Sequence, residues 1–459
     1  MNGELKILPA ALLLILCLLP APAAAGVEDL LTLYAPAKAK DPAIGKARAR
    51  LDASRADTNI SFAQMLPRVE ANAGINWISN ISLNYGPNEI SGTYTGDSYG
   101  FSARVPLFAV PNVYNLAASR ATVRGADAIL SGSRQDLIVN LAEAYFGLLK
   151  AQIDEVLYRE EMNRLGQIHA QVTEFKNSGT GSAISVYEAK AKLDSAAADS
   201  IKATIMCKLA AQQLESIAGR QVTEIMDLGP YKSHGPEPAD IDWWLDVMLK
   251  NRPTLVQARE LLTQSELSRR AVNAGHLPTI SASGGYSVSK GSTFLPEVET
   301  RQWTIGLNLS LPIYSGGETA ARTRRALAVE SEQRFVVSET REQGVQKLKQ
   351  AFLNLEYSNA IMPSTLQKKV SAVIQLEATR DGRIVGTRTG IDLLNAEQGA
   401  AIAQRELAGA LYDNALRQLQ LKAAAGILQE NDLMELNLLL VKAPARENFL
   451  LRQTDEVPK

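Results

Sequence analysis

Cysteine and histidine are almost absent from this chain of 459 residues, which carries two of the first and three of the second. Removal of Met1–Ala25, argued below, would leave Cys207 alone, so no disulfide framework can hold the fold. His169, His234 and His276 stand far apart without metal-ligand spacing, which argues against a metal site. An excess of one charge is also missing. The 48 Lys and Arg against 49 Asp and Glu offer neither a basic stripe nor an acidic tail, which argues against nucleic acid as a partner. Long apolar runs are missing beyond residue 25, the best being Leu436 to Val441, against the ~20 residues a membrane helix needs. Any membrane crossing by the remaining chain must then be made by strands. Nor is there a nucleophile elbow, a zincin helix or a phosphate loop. Ser178-Gly179-Thr180-Gly181-Ser182 is glycine-rich but lacks the following lysine and reads as a turn. No catalytic residue, metal or cofactor is expected, and the chain is not expected to be an enzyme.

What is present begins with an export signal. Lys6, the apolar run Ala10–Leu19 and the small residues Ala21-Pro22-Ala23-Ala24-Ala25 follow the order of a secretory peptide cleaved near Ala25. Leu16 before Cys17 is too large for lipoprotein processing, so plain cleavage is favoured. The rest of the chain is written twice. Pro42 and Pro67 recur 211 residues later as Pro253 and Pro278, and Val105-Pro106 recurs at an offset of 206 as Leu311-Pro312. Gly179-Thr180 with Ile184 recurs at 207 as Gly386-Thr387 with Ile391.

Each half holds two segments of strict alternation. Trp303, Ile305, Leu307, Leu309, Leu311 and Ile313 alternate with Thr304, Gly306, Asn308, Ser310 and Pro312. Val69, Ala71, Ala73, Ile75 and Trp77 form a second such set, Tyr99, Phe101, Ala103 and Val105 a third, and Ile280, Ala282, Tyr286 and Val288 a fourth. A period of two over about ten residues suits a barrel strand with a lipid face and a lumen face. A soluble sheet with one wet face shows the same alternation. The export signal, the aromatics near strand ends and the Gly, Ser and Asn of the polar side favour the membrane. The stretches Leu83–Ser98 and Ser289–Thr300 read as polar loops facing outside. Even small membrane barrels need about eight strands, so four per chain must share a barrel with other copies.

The flanking segments are rods. Ile138, Leu141, Tyr145, Leu148, Leu149, Ile153 and Val156 form one apolar stripe on a helix running from Pro111 to Asn177. At ~1.5 Å per residue that helix spans ~100 Å. A matching run from Gly316 to about Arg383 is interrupted by Pro363, and the return paths Ser182–Ala218 with Ile241–Ala274, and Ile391–Ala425 with Glu28–Phe62, are in two pieces. Gly219–Pro238 and Gly426–Lys459 are expected to form a belt of small elements around the middle.

Asp41-Pro42, Leu66-Pro67-Arg68-Val69, His276-Leu277-Pro278-Thr279, Leu309-Ser310-Leu311-Pro312-Ile313-Tyr314-Ser315-Gly316-Gly317 and Val385-Gly386-Thr387-Arg388-Thr389-Gly390-Ile391-Asp392-Leu393-Leu394-Asn395-Ala396 together carry a resemblance. In their order and duplication the chain resembles the TolC family of outer-membrane efflux and type I secretion proteins over nearly its whole length. The resemblance implies a mainly α fold with a transmembrane β-barrel contribution: a long coiled-coil α-helical barrel, four strands per protomer and a twelve-stranded barrel in a homotrimer. It implies placement in outer-membrane lipid, a tunnel through the periplasm, and docking to a periplasmic adaptor (membrane fusion protein) and an inner-membrane ABC or proton-driven transporter. The divisions expected are the signal peptide 1–25, a first repeat 26–240 with a β-hairpin at 68–108 and a tip near 178–184, a second repeat 241–425 with a β-hairpin at 279–313 and a tip near 383–391, and an equatorial tail 426–459.

By the family pattern, Asp392 would form a three-carboxylate ring at a nearly closed periplasmic end and Arg388 would make the links that hold it shut. Asn395 stands where a second aspartate often lies, Arg383 where an aromatic often lies, and Ser185 at a hydroxyl position followed by Val186 in place of an acid. The turn residues Gly179, Thr180, Gly386 and Thr387 are adaptor-docking candidates, although a helix hairpin needs glycine there in any case. Asp392 has an equally weighted alternative as a carboxylate satisfying free amides at a helix start. The expected function is an export conduit. The Leu-Asn-Ala-Glu run after Leu393 and the absence of a lipid-modified cysteine look more like type I protein secretion than drug efflux. A non-conducting structural trimer is the remaining alternative. A periplasmic adaptor is disfavoured, because it would lack duplicated membrane strands.

Overall fold

The computed structural model describes residues 27–85, 88–222, 224–291 and 299–442. The expected export signal at 1–25, with Cys17, lies outside the described residues. Two helices, α1 (Leu30–Lys40) and α2 (Pro42–Ala63), lead into a β-hairpin of β1 (Arg68–Tyr85) and β2 (Asn88–Phe108). The single rod α3 (Val110–Asn177) follows, then α4 (Ala183–Ala218), a short β3 (Asp227–Leu228), α5 (Ile241–Asn251) and α6 (Pro253–Asn273). The second hairpin is β4 (Thr279–Lys290) and β5 (Glu299–Ser310). It is followed by α7 (Glu318–Ala360), α8 (Met362–Ile384), α9 (Gly390–Ala425), α10 (Glu430–Asn437) and β6 (Leu440–Val441). Among the described residues no helix is long and apolar enough to cross a membrane.

Proline sets where the rods break. Pro42, Pro253 and Pro363 each stand in the first turn of a new helix, where the missing N–H costs nothing, whereas in a continued helix each ring would clash with the preceding turn. Asp41 seals one break by accepting from the Ile44 amide at 2.7 Å. α3 has its proline only at its start, so it runs unbroken for 68 residues, ~100 Å at ~1.5 Å per residue. It packs against α2 and α6 along one part of its length and against α4 and α9 along the other.

The four long strands form one antiparallel sheet in the order β1-β2-β4-β5. β2 and β4 join the two hairpins from Asp97↔Lys290 to Phe108↔Ile280, which leaves β1 and β5 as edges. The sheet covers no core. Nearly every residue of β5 is exposed, including Ile305 at 90% and Leu307 at 73%, and Val69, Ile75 and Trp77 on β1 are exposed as well. Phe101, Tyr286 and Trp303 cluster across three strands with ring centroids 4.7 to 6.1 Å apart.

Two expectations about the sheet need correction. Leu83–Ser98 is not a loop, because β1 and β2 stay paired to Tyr85↔Asn88 and project as a two-stranded ribbon beyond the last β2–β4 pair. The alternation loses phase at Trp77-Ile78, and there the register shifts: two residues of β1 between Ile78 and Ile81 oppose one of β2. At the other end β5 stops at Ser310 rather than Ile313, since Pro312 has no N–H to give a ladder. Of the second connection, 292–298 lies outside the described residues.

The largest buried cluster sits at the middle of the rods, where α1, α10, β3 and β6 wrap α3 and α9. Phe146 of α3 stacks on Tyr412 of α9 at 5.5 Å, and the Tyr145 hydroxyl donates to the Met226 carbonyl at 2.7 Å. The Tyr412 hydroxyl donates to Asp227 at 2.5 Å. Asn414, wholly buried, accepts from the Tyr231 hydroxyl at 2.8 Å and donates to Ser358 at 2.9 Å. The Tyr145, Tyr412 and Tyr231 bonds tie belt segments to rods and the Asn414–Ser358 bond ties α9 to α7, with the buried polar groups satisfied.

Candidate gate and docking tips

Both helical hairpins turn by the same bonds. In the first, the amides of Thr180 and Gly181 both donate to the Phe175 carbonyl, at 2.9 and 2.8 Å, with Gly179 at φ +80°. In the second, the amides of Thr387 and Arg388 donate to the Gly382 carbonyl, at 2.8 and 3.2 Å, with Gly386 at φ +78°. Thr180 and Thr387 each add a hydroxyl bond to that same carbonyl, at 3.2 and 3.0 Å. Only a residue without a Cβ adopts these positive φ values cheaply, so Gly179 and Gly386 are turn requirements whatever else they do.

The crossing of chain within each turn leaves room for one large residue, and the two hairpins place it on opposite sides. A Cβ on Gly181 would lie 2.7 Å from the Lys176 nitrogen and 2.8 Å from the Phe175 carbonyl carbon. A Cβ on Gly382 would lie 2.7 Å from Arg388 Cγ. Phe175 faces Gly181 in the first turn, while Gly382 makes way for Arg388 in the second. The first tip therefore shows exposed Phe175, Ile184 and Tyr187, and the second shows Ile384 and Val385 together with Arg383 and Arg388.

The start of α9 fixes Asp392. Thr389 is the N-cap, and its hydroxyl accepts from the Asp392 amide at 3.2 Å. The Asp392 carboxylate accepts in return from the Thr389 amide and hydroxyl, both at 2.8 Å. This reciprocal box is the amide-satisfying role, now seen directly. The Thr389 amide first, then its hydroxyl and the nearby Arg388 charge, hold the carboxyl below the usual aspartate range. The same aspartate is thus both a cap and a fixed negative charge at the tip. In the first hairpin Ser182 caps α4 by accepting from the Ile184 amide at 3.1 Å, and Ser185 stands exposed in the following turn.

Among the described residues neither Arg383 nor Arg388 has an ion-pair partner in its own chain, and both are exposed. The Arg383 guanidinium lies beside Gly390, 4.0 Å from where a Cβ would stand. Asn395 points to a different task. Its carbonyl accepts from Arg164 of α3 at 3.2 Å, one turn from Gln398, which accepts from the same guanidinium at 2.9 Å. The sequence reading missed Arg164, Lys150 and Asp154. The last two pair with Asp413 at 2.5 Å and Arg405 at 2.6 Å on α9. Their signal was present as opposite charges four apart on α3 facing opposite charges on α9, legible only once the antiparallel partner is known.

A sequence profile of the family described as outer membrane efflux protein matches residues 33–220 and 244–427, which is most of the chain in two blocks. The chain belongs to the outer membrane efflux protein family. It is 29% identical to outer membrane protein TolC of Escherichia coli over 90% of its own length and 85% of that protein. It is also 29% identical to the alkaline protease secretion protein AprF of Pseudomonas aeruginosa, over 91% of its length and 89% of that protein. The outer membrane channel CmeC of Campylobacter jejuni shares the fold, with a TM-score of 0.73, 18% identity and coverage of 90% of both chains. As a TolC-family channel of the outer membrane, this chain is a transport protein and not an enzyme.

Proposed function

We propose that three copies of this chain close a twelve-stranded barrel and continue it inward as a helical tunnel, whose tips dock a periplasmic adaptor and an inner-membrane transporter. The observation that carries this reading is the coreless four-stranded sheet with β1 and β5 as unpaired edges, joined directly to rods ~100 Å long. In lipid such edges are satisfied only by further strands, and copies of the same chain supply them. At the inner end Asp392, repeated by symmetry, makes a ring that attracts cations, and Arg388, exposed and without an ion-pair partner in its own chain among the described residues, reaches across to a neighbour to hold the tip closed. Arg383 and Ser185 lie on the same tips and contribute to that closure. Gly179, Thr180, Gly386 and Thr387 form the outermost surface offered to the adaptor.

The cargo we infer is protein, exported by a type I system. The support is the likeness to AprF and to the proteases secretion protein PrtF of Dickeya chrysanthemi, at 29% and 26% identity. The efflux reading has its own support in the outer membrane efflux protein BepC of Brucella suis, at 22% identity. Deletion of the gene separates them. Loss of a secreted protein from the medium with unchanged drug susceptibility supports protein export; the reverse pattern overturns it. In planar bilayers the purified protein should give small cation-selective steps that grow on Arg388→Ala.

A further inference from the structure

We propose that Arg301 and Lys290, at the outer end of the sheet's lipid face, bind the phosphate groups of a phosphorylated glycolipid of the outer leaflet; this rests on the shared-barrel reading above. The register of the sheet sorts its residues into two faces. Partners across an antiparallel ladder lie on the same face, so Ala71, Phe101, Tyr286 and Trp303 belong together, one level from Val69, Ala103, Gly284 and Ile305. The opposite face carries Glu70, Asn72, Arg104 and Asn308, which leaves the apolar face to meet lipid. Charge on that lipid face is confined to one end. Towards the rods it finishes on Val69, Val105, Ile280 and Leu309, with no charged residue. At the far end the ladder reads Ile75, Asp97, Lys290 and Glu299, and one level below it Ala73, Tyr99, Val288 and Arg301.

These charges stand where headgroups begin. Phe101, Tyr286 and Trp303 form an aromatic cluster across three strands, and such a girdle marks the depth at which lipid tails give way to headgroups. Arg301 is two residues further along β5 on the same face, ~7 Å at ~3.3 Å per residue. This end points away from the rods, because β5 runs from Glu299 to Ser310 and on towards α7. With the rods in the periplasm it meets the outer leaflet. The Glu299 carboxylate accepts from Arg301 Nε at 2.5 Å and lies 3.3 Å from Lys290 Nζ, so one carboxylate holds two cations side by side and the trio keeps a surplus positive charge. Both cations remain open to an approaching headgroup, Arg301 with its side chain 67% exposed and Lys290 with 40%. An arginine binds phosphate through paired N–H groups, and the neighbouring lysine adds a point charge. Asp97, opposite Lys290 on β2, opposes an anion there and so limits the affinity.

The test is native mass spectrometry of the purified full-length protein in mild detergent, loaded with diphosphorylated lipid A or with lipid A stripped of its phosphates. The parent is expected to retain the diphosphorylated lipid roughly ten-fold better. Millimolar inorganic phosphate should not displace it; displacement would mean that the site takes a bare anion and would overturn the lipid assignment. Arg301→Gln combined with Lys290→Gln should erase the preference at unchanged oligomer mass, while Asp97→Asn should sharpen it. Arg68→Gln, on the opposite face, should leave the preference as it is, and a loss there would overturn the assignment of faces. If the parent oligomer retains both lipids equally, or the double variant keeps the parental preference, the phosphate site is wrong and the shared barrel is untouched. If only single chains are found, the barrel reading fails and the lipid face fails with it.

Discussion

Replacing Gly382 by alanine should open the tip without unfolding it. The added methyl would stand 2.7 Å from Arg388 Cγ and 3.2 Å from Thr387 Oγ1, so one of them must move. Overpacking of this kind costs ~1–3 kcal/mol if nothing yields. Arg388, however, is exposed and can leave its position for a rotation costing about 0.5–1.5 kcal/mol. Against that cost, alanine for glycine inside α8 gains up to ~1 kcal/mol of helix stability. The net effect on stability is near zero, while the guanidinium is displaced from the place proposed for closing the tip. Expected, then, is a melting temperature close to the parent's and a conductance raised in the direction of Arg388→Ala. Gly181→Ala is the matched control, because its methyl would meet backbone at 2.7 and 2.8 Å, which cannot swing aside. That turn should rebuild at a cost of ~1–3 kcal/mol, seen as faster limited proteolysis at Lys176. A Gly382→Ala channel with parental conductance, where Arg388→Ala opens, would refute the packing argument.

Asp392 has a pKa lowered by Thr389, so its contribution to tip stability is present above the unfolded-state value near 3.9 and is lost as pH falls through the lower folded value. Cation selectivity, read from reversal potentials, should therefore persist below the ordinary aspartate range in the parent and fade at higher pH in Thr389→Val; coincident titrations would count against the capping box. Tyr412→Phe should cost about 1.5–3 kcal/mol at neutral pH by leaving the buried Asp227 carboxylate one donor short. Burial already raises that carboxyl, so the loss should shrink as acid protonates it, and a pH-independent loss in thermal melts would contradict the assignment. Leu307→Arg, on the exposed face of β5, should cost up to ~2–4 kcal/mol in bilayer refolding if that face meets lipid, and nothing if it meets water.

Much of the architecture was legible because long-range order here is written in local patterns. The proline positions gave the helix breaks, and the period-two segments gave four strands. The ribbon beyond β1 and β2 was not legible, since Trp77-Ile78 breaks the alternation where a bulge absorbs it, and Gly and Asn within 84–96 mimic a loop. At the tips the turn glycines and Asp392 could be read from spacing, whereas the exchange of bulk between Phe175/Gly181 and Gly382/Arg388 needs the folded turn. Asn395 was assigned to the gate by resemblance, and its bond to Arg164 depends on the packing of helices more than two hundred residues apart, which no local window contains.

In lipid the open edges of β1 and β5 have to be closed by further strands, and copies of the same chain are expected to supply them. Native mass spectrometry of the protein extracted from outer membranes in mild detergent tests this most directly. A particle of three chains is expected; a monomer that stays monodisperse without detergent would contradict it.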